Sequence, residues 1–189
     1  MTAPDETTNP SMGPLLTLLR GINVGGHNKL AMADLREWFT SIGHQNVRSY
    51  IQTGNIVSHA PTPAGPELAH RIRAGIAHTF GFEPGVVVRT APQWRTAIEA
   101  NPFDPVADPK KLHLLSLADR PDDEAVARLD PERSPGDAFV VIGSHLYVRY
   151  GRGAADTKLA LDWFERTLDT TATARNWNTV LKLAAMLEN

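Results

Sequence analysis

The hydrophobic pattern of the first half alternates between two periods. Leu15 to Arg20 is apolar except for Thr17 and its terminal arginine. A short run of this kind fits a strand buried on both faces and therefore interior to its sheet. Met32 to Ile42 changes to helical spacing, with Leu35, Trp38, Phe39 and Ile42 on one face and Gly43 as the stop. Val47–Gln52 and Ile56–His59 predict two strands joined by the turn chemistry of Thr53-Gly54-Asn55. Leu68, Ile72, Ile76 and Phe80 predict a second helix that ends at Gly81, and Val86–Arg89 predicts a fourth strand. The order β-α-β-β-α-β is that of a split βαβ, or ferredoxin-like, unit: an antiparallel sheet with two helices on one face.

The second half approximates this order, as β-α-β-β-α(-α), without a residue-by-residue repeat. Pro92–Ala100 predicts a short helix, and Asn101-Pro-Phe-Asp-Pro105 with Asp108-Pro109 a broken loop. Leu112–Leu117 predicts a strand and Asp122–Leu129 a helix. Phe139–Ile142 and Leu146–Tyr150 predict strands around a Gly143-Ser144 turn. Helices are expected over Thr157–Leu168 and Thr173–Leu187. The expected fold is α+β: two α/β-plait units with antiparallel sheets, seven strands in all, plus C-terminal helices. The predicted divisions are a disordered tail over residues 1–13, a first unit over 14–90 and a second over 91–189.

The last helix carries the clearest candidate chemistry. Placed on one helix, Trp177, Val180, Leu181 and Ala184 form an apolar face, while Arg175, Asn178, Thr179 and Lys182 form a polar stripe without an acid. Thr171 and Thr173 are candidate caps. A helix start already favours anions, and Arg175 beside it raises the local potential. The alternative is a polar face that pairs with acids elsewhere, such as Asp156 or Asp162. Gly21-Ile-Asn-Val-Gly-Gly-His-Asn-Lys29 is a second candidate cradle, although it matches neither the P-loop nor the GxGxxG pattern.

Composition narrows the rest. The 189 residues carry a net charge of −2, which argues against general affinity for nucleic acid. There is no cysteine, so thiolate nucleophiles and disulfides are excluded. No run reaches bilayer length, the first residues do not read as a secretory signal, and the default location is the cytoplasm. No two of the seven histidines stand four residues apart, so neither a metal nor a cofactor is expected. Gly143-Ser144-His145 fits a hairpin turn better than a nucleophile with its base.

The blocks LLRGINVGGHNKLAMADLR, NVRSYIQTGNIV, Asn101-Pro-Phe103 and TKLALDWFERTLDTTATARNWNTVLKL resemble the DUF1697 family of bacterial proteins of unknown function. The resemblance covers nearly the whole chain after the tail. It implies two packed ferredoxin-like units and no activity. Its motif positions fall at Arg20, Gly21, Asn23, Gly25, Gly26, Gln52, Gly54, Asn55, Lys158, Thr173, Arg175, Asn176, Trp177, Asn178, Thr179 and Lys182. His27 stands where the family commonly has Lys, and Thr157 where it has Ser. Two readings follow. In the first, Arg20, Asn23, Gly25, Gly26, Lys29, Gln52, Asn55, Lys158, Arg175, Asn176, Asn178 and Lys182 line one cleft for a small phosphate- or carboxylate-bearing ligand. In the second, these polar motifs are structural and the protein is a non-enzymatic module that binds protein or RNA. No catalytic set stands out in either, and no oligomeric state is implied.

Overall fold

A computed structural model describes residues 12–61 and 65–188. The first unit runs β1 (Met12–Arg20), α1 (Met32–Ser41), β2 (Gln45–Tyr50), β3 (Asn55–Pro61), α2 (Pro66–Phe80), β4 (Gly85–Thr90), and is followed by α3 (Ala91–Glu99). The second runs β5 (Leu112–Leu117), α4 (Asp123–Ala127), β6 (Ala138–Ile142), β7 (His145–Arg149), α5 (Leu161–Leu168), β8 (Ala172–Asn176), and is followed by α6 (Trp177–Leu187). The sheets have the orders β2-β3-β1-β4 and β6-β7-β5-β8, with every pairing antiparallel. These are two copies of one topology, and β1 is interior as its apolar run requires. The expected tail over residues 1–13 lies largely outside the described residues, although Met12 and Gly13 already belong to β1.

Alternation along the strands builds a layered molecule. Leu15 and Leu19 face α1 and α2, packing with Phe39, Ile72 and Ile76. Leu16 and Leu18 face the opposite way, into a core shared with Trp94, Leu114, Tyr147, Trp177, Val180 and Leu183. Leu115, Leu117, Leu146 and Val148 pack under α4 and α5 with Phe164 and Leu168. The two helices that follow the sheets, α3 and α6, therefore lie between them. The Trp94 indole N–H donates to the Val180 carbonyl at 3.2 Å, and the Tyr147 hydroxyl donates to the Ala97 carbonyl.

Two expectations about the C-terminal third are corrected. The described residues hold eight strands, because Ala172–Asn176 is a strand and the helix starts only at Trp177. Ala172 and Ala174 turn toward the α5 side while Thr173 and Arg175 turn inward, a period of two that small alanines conceal. Arg175 thus does not share a helical stripe with Asn178 and Lys182. The cap of α6 is Asn176, whose side chain accepts from Thr179 N–H at 3.0 Å, and not Thr171 or Thr173. On α6 the buried face is Trp177, Val180, Leu183 and Leu187, whereas Leu181 is 46% exposed. Residues 157–160 are also not helical, since α5 begins at Leu161.

Candidate functional site

Arg175 stands where the two units meet. From the end of β8 its guanidinium crosses into the first unit. Its Nε–H donates to the Asn55 side-chain oxygen, and one terminal nitrogen donates to the carbonyls of Leu19 at 3.0 Å and Thr53 at 2.8 Å. The other donates to the carbonyl of Ala174 at 2.8 Å. Four of its five N–H groups are therefore engaged, all by neutral oxygens. Burial pushes its pKa down to about 10, which leaves it charged at neutral pH. The charge is solvated by carbonyl dipoles, so neither an acid nor a ligand is needed to hold it.

Arg89 repeats this arrangement in the opposite direction. It ends β4 as Arg175 ends β8, each one residue before a helix N-cap. Its Nε–H donates to His145 Nε2 at 3.3 Å. One terminal nitrogen reaches the carbonyls of Leu117 and Ser144. The other reaches the carbonyl of its own predecessor, Val88, at 2.8 Å. Leu117 at the end of β5 matches Leu19 near the end of β1, each donating its N–H to the carbonyl of the residue before the strand it pairs with, and His145 starts β7 as Asn55 starts β3. Each unit thus grips the hairpin of the other with one arginine. The sequence reading missed Arg89 entirely; the available signal was an arginine at the end of an apolar strand followed by a cap.

The sequence-predicted site residues divide accordingly. The glycine loop, the hairpin and Arg175 do converge, but protein atoms fill the point of convergence. The Asn23 amide bonds Leu30 N–H and C=O at 2.8 Å each and the Gln52 carbonyl at 2.9 Å, so it fixes the loop to the hairpin. The Asn55 amide donates to the Tyr50 carbonyl and the Thr53 hydroxyl. Gly54 has φ +76°, and a Cβ there would lie 2.6 Å from Leu19 Cβ, so the close approach requires glycine. Arg20 pairs with Asp162 and Glu165 of α5, at 2.5 and 2.6 Å. Gly25, Gly26, Lys29, Asn178 and Lys182 are exposed. Lys158 is exposed in a second-unit segment, its backbone bonded to Ser134 and Arg133, and is not brought to the loop. The Gln52 side chain is exposed, and Asn176 is spent as a cap.

A cavity lies on the Arg89 side. A cleft of about 980 Å³ opens between α2, β4 and α3 of the first unit and three segments of the second: Ala118–Arg120, Ile142–His145 and Asp169–Thr171. Arg73 and His70 line one wall and Arg120 the other, with Asp119 and Asp169 also present. Arg73 pairs with Glu83 at 2.9 Å. Arg120 has no partner among the described residues. Ser144 and His145 are not a nucleophile and base here, because Arg89 donates to both side chains. Among the described residues no group of three or more His, Asp or Glu could hold a metal ion, and no helix is long and apolar enough to cross a membrane.

His145 makes the clamp sensitive to acid. Burial, and then the Arg89 charge, lower its pKa to about 4, so it accepts from Arg89 as the neutral ring. Below pH 6.5 the unfolded chain takes up a proton that the folded protein refuses. The stability from the neutral ring is complete above that pH and falls toward pH 4, by about 3 kcal/mol at most. Buried His44 and half-buried His113, whose pKa values desolvation also lowers, act in the same direction. His145→Asn, which copies the Asn55 arrangement, is expected to flatten the loss between pH 6.5 and 4 in denaturant titrations. An unchanged slope would locate the acid sensitivity elsewhere.

Two plaits with a helix pair between their sheets define an α+β protein of repeated βαββαβ architecture. Residues 12–147 match the family model described as "Protein of unknown function (DUF1697)", and the chain belongs to that family. Among solved structures it is similar to the conserved bacterial protein SP0830 from Streptococcus pneumoniae, at 24% identity and a TM-score of 0.74, over 94% of this chain and 99% of that one. That likeness speaks to the fold. No curated protein matches the chain.

Proposed function

We propose that this protein binds a ligand bearing a phosphate or carboxylate group in the cleft between the units, at Arg73 and Arg120. The observation that carries this reading is Arg120, a cation without an acidic partner at the wall of a large cavity. The glycine loop is the weaker candidate, because Arg20 is held by two acids and Arg175 by four acceptors. In the cleft, Arg120 has no acid among the described residues and Arg73 has a single exposed pair with Glu83. An RNA-reading role has less support. RNA-binding plaits stack bases on an open sheet face, whereas here Leu16, Leu18, Val57 and Val87 are covered by the α3 and α6 layer.

Calorimetric titration with pyrophosphate tests the reading. Heat is expected from the parent protein, at least tenfold weaker binding from Arg120→Ala, and unchanged binding from Lys29→Ala and Lys182→Ala. Heat that survives Arg120→Ala and disappears with Lys29→Ala would return the site to the glycine loop. No heat from the parent would remove the anion reading.

A further inference from the structure

The same cleft has an open strand edge along its floor. It touches Gly85, Val86, Val87, Val88 and Arg89 in succession. Neighbouring side chains of a strand point to opposite faces, so a cavity that meets five consecutive residues runs along the edge of the strand. β4 is an edge strand, paired only with β1. The helical walls fit this course. His70 and Arg73 come from one face of α2, and Gln93, Thr96 and Ala100 from one face of α3.

The hydrogen-bond phase shows which groups the edge offers. Leu19 N–H donates to the Gly54 carbonyl, so Leu15, Thr17 and Leu19 turn their backbone groups toward β3. Leu16, Leu18 and Arg20 then serve β4 and engage Arg89, Val87 and Gly85. Val86 and Val88 turn their N–H and C=O groups away from the sheet, into the cleft. The Val88 carbonyl is taken by Arg89. Val86 N–H, Val86 C=O and Val88 N–H have no partner among the described residues.

The second unit covers more of its equivalent edge. There Arg175 takes the Ala174 carbonyl as Arg89 takes that of Val88. Glu165 in addition accepts from Ala172 N–H at 2.8 Å, where Val86 N–H has no such acceptor among the described residues. The other edge of the first sheet, β2, is blunted by a bulge between Gln45 and Arg48 and by Asn46 at φ +51°. Natural edges usually carry such devices because a bare edge recruits another chain. β4 has no bulge, proline or lysine in Gly85–Thr90. It lies along a groove walled by α2 and α3 on one side and by segments of the second unit on the other.

We propose that an extended acidic peptide segment of a partner protein occupies the cleft and pairs with β4 as an added strand. Its backbone meets the open groups of Val86 and Val88, and its carboxylates meet Arg73 and Arg120. The assignment rests on the anion-binding reading of the cleft and names the class of ligand.

Selection of decapeptides from a random display library on the full-length protein, followed by synthesis of the selected sequence, tests it. Acidic residues are expected in the selected set. N-methylation at alternate backbone positions is expected to weaken binding at least tenfold in one phase and little in the other, as strand pairing demands. Val88→Pro removes a groove donor without removing a β1 bond, and should also weaken binding at least tenfold. The N-methylation scan, made on the parent protein, decides the matter if that variant does not fold. Peptides indifferent to methylation in both phases would overturn strand pairing, as would a library that yields no binder. If pyrophosphate still binds in either case, the anion cleft stands without the strand; if it does not, both readings fall.

Discussion

Arg175→Met is expected to destabilise the protein by about 4 kcal/mol in urea unfolding. The replacement keeps much of the apolar stem and removes every donor. The carbonyls of Leu19 and Thr53 and the Asn55 amide oxygen would then remain buried without their partner. An abandoned buried acceptor costs about 1–3 kcal/mol, and no reorganisation of the β2–β3 hairpin can satisfy all of them at once. Arg175→Lys should recover little of the loss, since one ammonium cannot reach oxygens fanned around a planar guanidinium. The same change at Arg89 should cost less, because the Ser144 side of that clamp borders the cleft and water can reach it. A loss below 1 kcal/mol for Arg175→Met would mean that the units are held by apolar packing alone, with the clamp incidental.

Trp177→Ala is expected to cost about 3–5 kcal/mol, the range for emptying a buried aromatic site. Trp177 is 5% exposed and packs in the core between the sheets. Its backbone N–H donates to the Pro109 carbonyl at 3.1 Å, which fixes the start of α6 to the segment that enters the second sheet. Thermal and denaturant unfolding of the variant measure the cost. A melting point within a degree or two of the parent would show that the core closes over the loss.

The sequence made the plait order legible because the large side chains obey their periods. Leu15–Leu19, Val86–Val88 and Leu112–Leu117 read as strands, and α1 and α2 read as helices from their spaced leucines, isoleucines and aromatics. β8 was illegible for a physical reason. Its alternation is of alanine against threonine and arginine, too weak in hydrophobic contrast to oppose the helix preference of alanine. Pairing with β5 decides its conformation, and that information lies far away in the chain, at Leu112–Leu117. The candidate site was half legible. Asn23, Asn55 and Arg175 do come together, but a sequence cannot show whether a cation faces a ligand or a carbonyl. The cleft was not legible at all, since its walls come from five segments far apart in the chain and its floor is the backbone of β4.

The crossed arginines have a consequence for how the chain could be divided. The chain passes from one half to the other once, through residues 104–108, which are exposed except for the half-buried Val106. A fragment ending there keeps β1–β4 and α3, and the remainder keeps β5–β8 and α6. Each piece alone would expose one side of the middle core and an arginine with nothing to grip. Mixed, they carry matching surfaces in both directions, and so behave as the two halves of a complementing pair. Covalent continuity then contributes effective concentration rather than shape: the molecule is a dimer of unlike plaits that happens to be written as one chain.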